Sequence, residues 1–395
     1  MKKVSLLFAL ILTSLLAKSQ NFAIGHLTAS TTDASRSRNI SIEIYYPADV
    51  AGNNVAFTQQ PITAPILVFG HGFVMTWDAY ANIWQSLVPH GYLIAFATTE
   101  TGFSPSHLDF GKDLAYMVTY LQSESNNPAS TFYQRLDSAA CVMGHSMGGG
   151  SSFLAVQYNT SIQSMVTFAA AETTPSAIAA AAAITIPSLV VAGSNDCVAP
   201  PAAHQLPMYN ALTGSCKTYI SITGGSHCQM AESNTLCSFG EATCLPVAAI
   251  SRSTQHTIID RYLIPWLDYH FRNDCIAGAQ FDNTIATDPD ITFQKTCTLC
   301  SNTGTANHDH LNSLVEIFPN PVSTSLYVNL NREESSSEIT LMVTDLQGRM
   351  VMQFNYISIE KVLELNTSTL PTGTYYLHTV QSGHRITSVP FSVLH

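Results

Sequence analysis

The feature that most constrains the fold of this chain is an alternation of short apolar runs with segments of helical periodicity between residues 40 and 222. The runs are "ISIEIYY", "PILVF", "YLIAFAT", "AACVM", "SMVTFAA", "PSLVVAG" and "KTYISI". Several are apolar throughout, which is typical of strands buried on both faces. Between them, "TWDAYANIWQSLVPHGY" places Tyr80, Trp84 and Leu87 on one face and ends at Gly91, and "DLAYMVTYLQ" repeats the helical pattern. Strands separated by such helices need crossover connections, so the sequence predicts an α/β domain with a mostly parallel central sheet.

The pattern changes after Cys300. A polar loop, "SNTGTANHDH", precedes alternating strands without a helix, and the turns between them carry Asn, Gly, Pro and Ser, as in a small antiparallel β-sandwich. A chain of 395 residues also exceeds the usual size of a single core. We therefore expect the α/β domain over residues 21–300, a linker over 301–312 and an all-β sandwich over 313–395.

The N-terminus predicts export. Lys2 and Lys3 precede an apolar run from Val4 to Leu16, and a short polar stretch follows, which is typical of a cleavable signal peptide over residues 1–20. No later segment offers about 18 uninterrupted apolar residues, so we expect no membrane span. Charged residues make up 11% of the chain and the formal net charge is −11, which excludes a basic face for nucleic acid.

A candidate nucleophile lies in the pentapeptide "GHSMG", which follows the strand "AACVM" and precedes the helical "GSSFLAVQY". In this context the two glycines allow the tight strand-to-helix turn that lifts Ser146 above the sheet edge. A serine hydroxyl is a weak nucleophile at neutral pH, so it needs a base and a group that orients the base.

The loops after two later strands supply both groups. Asp196 follows "PSLVVAG" and His227 follows "KTYISI", so the order is Ser, Asp, His, as in α/β-hydrolases. We expect Asp196 to orient His227, and His227 to take the proton of Ser146. The backbone N–H groups of Met147 and Phe73 are the candidate oxyanion hole, the latter in the loop "GHGFV".

Five other histidines compete for the role of base. His204 lies at a Pro-rich helix start, and His256 and His270 lie in helical patterns. His71 and His145 flank the site but precede the acid in sequence, so we interpret them as packing or oxyanion-loop residues rather than the base.

Of the nine cysteines, Cys141 lies inside a predicted strand and is expected to be a free buried thiol. The other eight are expected to form disulfides in an exported protein. They are Cys197, Cys216, Cys228, Cys237, Cys244, Cys275, Cys297 and Cys300. Eight cysteines allow about 105 connectivities, so the pairing does not follow from the sequence. Because Cys197 directly follows Asp196 and Cys228 directly follows His227, our hypothesis is a bridge between these two; pairing with Cys216 or Cys237 is the alternative.

Two segments raise the question of a metal. "CTLCSNTGTANHDH" offers Cys297, Cys300, His308 and His310, but the spacing between the pairs is shorter than in zinc fingers, and export favours disulfides. The acids of "DNTIATDPD" are not at EF-hand spacing, so we interpret it as a loop. We predict no metal and no cofactor.

Four blocks carry a resemblance to a known family. "GHSMGGG", "NDCVAP", "GGSHC" and "WLDYHFRNDC" resemble the nucleophile, acid, histidine and closing-helix blocks of the polyesterase, lipase and cutinase (PET hydrolase-like) branch of the α/β-hydrolases, over residues 22–300. Dienelactone hydrolases and chlorophyllases are more distantly similar. The resemblance implies an α/β-hydrolase fold and a serine esterase that acts on carboxylic esters, with polyesters such as PET as candidate substrates.

The resemblance also implies the substrate contacts. Bacterial polyester hydrolases usually carry a tryptophan after the strand that follows the elbow helix, where this chain has "AAAETTPSA" with Glu172 and Thr173. We expect Phe73 to form an apolar wall for the acyl group, with His145, Glu172 and Thr173 as further substrate contacts.

The C-terminal segments "VEIFPNPVSTSLYVNL", "VTDLQGRMV" and "STLPTGTYYLHTV" resemble the sorting domain of Bacteroidetes type IX secretion substrates, over residues 314–395. This resemblance implies the type IX machinery as a partner, passage through the outer membrane, release or surface anchoring, and removal of the tail on export.

Together these features predict a secreted, monomeric serine esterase of the cutinase-like kind. A dienelactone hydrolase-like or lipase activity, on small or long-chain esters, is the alternative within enzymes. The alternative of another class is a surface-displayed binding protein that has kept the fold without the chemistry. Such a relative would usually lack one of the three catalytic residues, whereas this sequence has all three.

Overall fold

The computed structural model describes residues 22–300, 315–330, 338–345, 350–357, 362–381 and 384–395. The predicted signal peptide and linker lie outside these residues. The strands are β1 (Ala23–Asp33), β2 (Arg38–Ala48), β3 (Gly52–Asn53), β4 (Ala64–Gly70), β5 (Leu93–Ala97), β6 (Leu136–His145), β7 (Ile162–Phe168), β8 (Ser188–Gly193), β9 (Lys217–Ile222), β10 (Ile291–Lys295), β11 (Val315–Phe318), β12 (Ser325–Leu330), β13 (Glu338–Asp345), β14 (Met350–Ile357), β15 (Val362–Asn366), β16 (Gly373–Gln381) and β17 (His384–Val393). The α-helices are α1 (Ala81–Leu87), α2 (His107–Asn126), α3 (Met147–Ala155), α4 (Ala177–Ala181), α5 (Gln205–Ala211), α6 (Thr235–Glu241), α7 (Arg252–Arg272) and α8 (Cys275–Thr287).

Ten strands form one sheet in the order β10-β9-β8-β7-β6-β4-β5-β2-β1-β3. The six strands from β9 to β5 in this order pair in parallel, whereas β2 on β5, β1 on β2 and β10 on β9 pair antiparallel. The parallel strands therefore present their C-terminal ends at one edge, and β6 lies near the middle of the sheet.

Both faces of this sheet are covered. Along β4, Ile66 and Val68 pack in the core shared with α2, whereas Leu67 and Phe69 pack in the core shared with α1 and α7. Every residue of β4 is buried because alternate side chains point to opposite faces and each face has its own helical layer. This explains the continuous apolar sequence of the strand. Burial of each large side chain here contributes about 1.5–3 kcal/mol.

The helix predicted in "TWDAYANIWQSLVPHGY" is shorter than expected. Its middle forms α1, but its two ends, Trp77–Tyr80 and Val88–His90, form 3-10 turns. The second turn contains Pro89 and ends at Gly91, whose φ of 86° is left-handed. The predicted apolar stripe is buried, including Tyr80 and Leu87.

The loop predicted for "DNTIATDPD" is wrong, because residues 282–287 belong to α8. Asp274 begins this helix by accepting the N–H groups of Ile276 and Ala277 at 2.9 and 3.2 Å. Phe281 and Ile285 are buried on its inner face. Asp282 forms an ion pair with Lys295 of β10. Capping and burial together favour the helix.

The described residues beyond 314 form two antiparallel sheets, β11-β12-β15 and β14-β13-β16-β17. Leu326 and Leu365 of the first sheet share one core with Leu341, Leu377 and Phe391 of the second. Two sheets packed over a common core form the predicted β-sandwich. None of the helices in the described ranges combines the length and apolar character needed to cross a bilayer.

Candidate active site

Ser146 lies at the turn between β6 and α3. Its φ and ψ of 54° and −118° are unusual for a residue with a side chain. The backbone around it holds this conformation: its N–H donates to the carbonyl of Phe168 at 3.0 Å, and its carbonyl accepts from Ala171 and Gly150 at 2.9 and 3.0 Å. A strained serine at a strand-to-helix turn is the geometry of a nucleophile elbow.

The two glycines of "GHSMG" are required by close backbone contacts. A Cβ on Gly144 would lie 2.4 Å from the carbonyl carbon of Gly148, and one on Gly148 would lie 2.1 Å from the carbonyl oxygen of Gly70. Neither backbone can move away cheaply, because each belongs to the elbow or to β4. The pentapeptide therefore reflects the packing of β6, α3 and β4 at the sheet edge.

Asp196 and His227 form a buried pair in the loops after β8 and β9. His227 Nδ1 lies 2.7 Å from Asp196 Oδ2, and the other carboxylate oxygen accepts the N–H groups of Val198 and Ala199 at 2.9 and 2.8 Å. Because the carboxylate can only accept, Nδ1 of His227 carries the proton, and Nε2 of the neutral ring is left as the acceptor. This is the tautomer that a general base needs.

A chain of buried hydrogen bonds joins the elbow to the loop of His227. The N–H of Gly72 donates to Tyr80 Oη at 2.7 Å, Tyr80 Oη lies 3.0 Å from His145 Nδ1, and His145 Nε2 lies 3.1 Å from the carbonyl oxygen of His227. The carbonyl requires a proton on Nε2, so Nδ1 of neutral His145 accepts from Tyr80. Burial holds the pKa of His145 well below its usual range, which keeps the ring neutral.

His145 is therefore not the substrate contact that the sequence predicts. It is fully buried, and both ring nitrogens are engaged. Its ring lies 4.7 Å from that of His227, so the residue next to Ser146 packs directly against the candidate base. The sequence did not indicate that the Tyr80 hydroxyl bonds both Gly72 and His145, because a tyrosine on an apolar helical face is expected to be only a core residue.

The loop after β4 lies against the start of α3. The N–H of Gly148, the residue after Met147, donates to the carbonyl of His71 at 3.0 Å, so the loop that carries Phe73 is bonded directly to the start of α3. Among the described residues, neither amide N–H of this pair has a hydrogen-bond acceptor. The side chain of Phe73 is half exposed and contacts Phe103 edge to face, with ring centroids 6.4 Å apart.

The two other predicted substrate contacts differ from each other. Glu172 is half-buried, its N–H donates to His204 Nδ1 at 2.9 Å, and its carboxylate accepts the N–H of Ile178 at 3.1 Å. Thr173 is buried, and its hydroxyl donates to the carbonyl of Pro175 at 2.7 Å. The hydroxyl of Thr173 thus serves the local turn, and a substrate contact by this residue stays a prediction.

Eight cysteines form four disulfides, and Cys141 is a buried free thiol. The pairs are Cys197–Cys244, Cys216–Cys297, Cys228–Cys237 and Cys275–Cys300. The hypothesis of a bridge between Cys197 and Cys228 is wrong. Cys228 is bonded to Cys237 within α6, and Cys197 is bonded to Cys244, which follows that helix. Cys297 and Cys300 are both in disulfides, so they are not free to bind zinc. His308 and His310 lie outside the described residues.

The sheet is mostly parallel and has a serine elbow after a central strand. An acid and a histidine follow two later strands. These features together define the α/β-hydrolase class of fold. The family model of PET hydrolase-like proteins matches residues 13–275, and the chain belongs to this family. A second model, that of a secretion system C-terminal sorting domain, matches residues 316–389.

Known relatives are distant. Cutinase 1 of Thermobifida cellulosilytica is 25% identical over 227 residues, which cover 56% of this chain and 74% of the relative. The cutinase of Thermobifida fusca is 25% identical over 56% of this chain and 65% of its own length. The bis(hydroxyethyl) terephthalate hydrolase of Streptomyces coelicolor is 28% identical over 234 residues, which cover 58% of this chain and 62% of the relative. For the last two, the match spans less than two thirds of the relative.

Proposed function

We propose that this protein is an exported serine esterase that hydrolyses carboxylic esters, with polyesters among its substrates. The observation that carries the proposal is the Asp196–His227 pair, which is held at 2.7 Å with the tautomer of a general base and packs against the residue before a strained serine. Membership of the PET hydrolase-like family and the names of the cutinase and terephthalate ester hydrolase relatives support the ester as substrate.

In the proposed reaction, Ser146 Oγ attacks the ester carbonyl carbon while His227 Nε2 takes the hydroxyl proton. The negative charge on the tetrahedral oxygen is stabilised by the N–H groups of Phe73 and Met147. The intermediate breaks the bond to the alcohol oxygen, which receives the proton from His227, and the acyl group remains on Ser146. Water then attacks this acyl-enzyme by the same route and releases the carboxylic acid.

The sorting domain supports export through the type IX system, as the C-terminal sequence predicts. We propose that the α/β domain acts outside the cell or at its surface. This location is consistent with four disulfides in the described part of that domain, because disulfides persist in oxidising compartments.

The direct test is a series of p-nitrophenyl esters from acetate to palmitate, assayed with the parent protein and with Ser146→Ala. We expect turnover by the parent and a loss of at least about 10⁴-fold in kcat in the variant, since the nucleophile of a serine hydrolase contributes on this scale. The position of the maximum along the series separates an enzyme for short esters from a lipase.

Ser151→Ala is the matched control. Ser151 lies on α3, is fully buried, and its hydroxyl has no hydrogen-bond partner among the residues that the structure describes, so its loss should leave kcat unchanged within about twofold. No turnover by the parent on any ester would favour a binding protein instead, and full activity of Ser146→Ala would exclude the proposed nucleophile.

A further inference from the structure

A hollow of about 390 Å³ opens at the outer edge of the large sheet, beside β1, β2 and β3. Its volume falls within the range of about 300–1,000 Å³ that is usual for small-molecule sites. It is lined by Ile24, His26, Tyr45, Gly52, Asn53 and Trp77. The proposed ester hydrolysis uses none of these side chains, so the hollow has no role in it.

The hollow is distant from the candidate active site in two directions. His26 lies on β1, four strand spacings from β6, which corresponds to about 19 Å across the sheet. Along the strands, His26 pairs with Tyr45, and Tyr45 pairs with Ile94, the second residue of β5. The hollow therefore lies near the N-terminal ends of the parallel strands, whereas the loops of Asp196 and His227 follow the C-terminal ends.

Aromatic rings form one wall of the hollow. Tyr45 stacks on both Trp84 and His26, with ring centroids 4.3 and 4.5 Å apart. Trp77 lies beside this stack, with its centroid 5.9 Å from those of His26 and Tyr45. Because Trp77 is half-buried, part of its indole remains accessible as an apolar surface on which a flat ligand can stack.

Three lining side chains each keep one polar group without a hydrogen-bond partner in the described part of the chain: Tyr45 Oη, Trp77 Nε1 and Asn53 Nδ2. Tyr45 is only 7% exposed, and a phenylalanine would fill the ring stack equally well, so packing does not explain its hydroxyl. Burial raises the pKa of Tyr45, and the carboxylates of Glu43 and Asp78 add to this effect. The hydroxyl therefore stays protonated and is able to donate.

Hydrogen bonds hold the polar side of the hollow in place. His26 Nδ1 lies 2.9 Å from Asn53 Oδ1, and His26 Nε2 lies 2.8 Å from Glu43 Oε2. The same carboxylate oxygen accepts the hydroxyl of Thr28 at 2.8 Å. These bonds use the oxygen of the Asn53 amide and leave its NH2 group as a donor. Groups that are already held in position lower the entropy that binding of a ligand costs.

The chemistry of the hollow favours one class of ligand. An anion would meet the carboxylates of Glu43 and Asp78, and none of the six lining residues is Lys or Arg. A quaternary ammonium ion or a hydrocarbon would leave the three donor groups unpaired, which costs free energy. A neutral pyranose ring fits all of these conditions, because its C–H face stacks on an indole and its hydroxyls both accept and donate hydrogen bonds.

We propose that this hollow is a binding site for a neutral pyranose residue of a glycan chain. The pyranose stacks on Trp77, and its hydroxyls form hydrogen bonds with Tyr45 Oη and Asn53 Nδ2. Because the hollow is open to solvent at the sheet edge, the glycan continues beyond the bound residue. The site goes beyond the proposed esterase function and does not depend on it.

The test measures binding of the full chain to three neutral hexasaccharides, cellohexaose, laminarihexaose and mannohexaose, by isothermal titration calorimetry. We expect saturable binding of at least one of them at concentrations up to about 10 mM. Trp77→Ala should lower the affinity at least tenfold, because it removes the stacking surface. Tyr45→Phe should lower it about fivefold, since it removes one hydrogen bond to the sugar and none within the protein.

Each variant has a matched control. Tyr120→Phe removes a hydroxyl on α2 that also lacks a hydrogen-bond partner among the described residues. Tyr158→Ala removes an aromatic ring that is 49% exposed and lies just after α3. Both controls should bind within twofold of the parent. Thermal unfolding establishes whether Trp77→Ala is folded, and Tyr45→Phe, which keeps the ring stack, decides the question if it is not.

Several results would overturn the proposal. One is the absence of saturable binding of all three hexasaccharides to the parent, and another is an unchanged affinity in both Trp77→Ala and Tyr45→Phe. Binding of choline chloride in place of a sugar would assign the hollow to an organic cation instead. Binding of free glucose or mannose without any hexasaccharide would assign it to a free sugar rather than a glycan. Hydrolysis of p-nitrophenyl butyrate is measured separately, so a failure of the esterase proposal leaves this test intact.

Discussion

One buried hydroxyl connects the two halves of the candidate site. Tyr80 Oη accepts from the N–H of Gly72, the residue before Phe73, and donates to His145, which in turn donates to the carbonyl of His227. The first bond turns the Gly72 amide inward beside the candidate oxyanion loop, and the last one holds the backbone of the candidate base. Each member of this chain is buried, so a missing partner cannot be replaced readily by water.

Tyr80→Phe should therefore lower kcat more than it raises KM. The change keeps the ring but leaves the Gly72 N–H and His145 Nδ1 without partners, which costs about 1–3 kcal/mol of stability for a buried group. We expect a fall of roughly tenfold in kcat on p-nitrophenyl butyrate, since about 1.4 kcal/mol of lost positioning corresponds to this factor.

The matched control for that variant is Tyr92→Phe. It removes another buried tyrosine hydroxyl, one that donates to Asp268 at 2.6 Å on α7, away from the catalytic loops. Steady-state kinetics and thermal unfolding of both variants separate the two effects. Equal losses of kcat would show that the Tyr80 hydroxyl acts through stability alone.

Among the elements, the loops after β8 and β9 depend on α6 for their attachment. The loop of Asp196 is bonded through Cys197 to Cys244, which follows α6, and the loop of His227 is bonded through Cys228 to Cys237 within α6. The two loops are therefore connected through one segment rather than to each other. The Asp196–His227 contact is thus supported from outside the sheet. The Cys216–Cys297 disulfide does not involve this segment. It joins the residue before β9 to the residues after β10.

Replacing Cys197 and Cys244 by Ser should reduce both stability and activity, whereas replacing Cys216 and Cys297 by Ser should reduce stability alone. The closed loops span 47 and 81 residues, so each removal costs about 2–4 kcal/mol of unfolding free energy. We expect kcat/KM to fall at least about tenfold in the first pair, because its acid loop loses an anchor.

Urea unfolding and p-nitrophenyl butyrate kinetics on both double variants, below their transition temperatures, provide the comparison. If the first pair keeps the parent kcat/KM, the Cys197–Cys244 bond has no part in positioning Asp196.

At the scale of the whole molecule, the half-buried His270 contributes to the loss of stability in acid. Burial lowers the pKa of His270 from its ordinary value to about 4, and its Nε2 is buried without a hydrogen-bond partner among the described residues. The ring packs against Trp266 and Tyr269. Since the unfolded chain binds this proton near pH 6.5, the unfolded state takes up more protons on acidification, and stability is lost as the pH falls from about 6.5 towards 4.

His270→Phe should reduce this acid sensitivity. For one group with these two pKa values, the contribution lost between pH 7.5 and 5 is about 2 kcal/mol. We expect the parent to lose more unfolding free energy than the variant over this interval. Urea unfolding followed by tryptophan fluorescence reports on the α/β domain, because all three tryptophans, Trp77, Trp84 and Trp266, lie in it. Equal losses in the two proteins would contradict the assignment to His270.

The larger part of the fold was readable from local patterns. The parallel strands could be predicted from continuous apolar runs, because both of their faces are covered. The turn at Ser146 could be predicted from "GHSMG", because its two glycines leave room for neighbouring backbone. Asp196 and His227 could be selected as candidates because each follows a strand, and parallel strands end at one edge. The structure brings these two residues into contact as that reasoning expects.

What local patterns could not show is which loops meet. The disulfide pairing, the burial of His145 and Thr173, the hydroxyl of Tyr80 between two loops and the exposure of α6 all depend on distances between segments that are far apart in sequence. The residue types at these positions are compatible with several environments, so spacing carries no information about them. Chain order and periodicity therefore specified the sheet and the positions of the candidate loops, whereas the packing of those loops at the sheet edge assigned each side chain to the core, to the candidate site or to the surface.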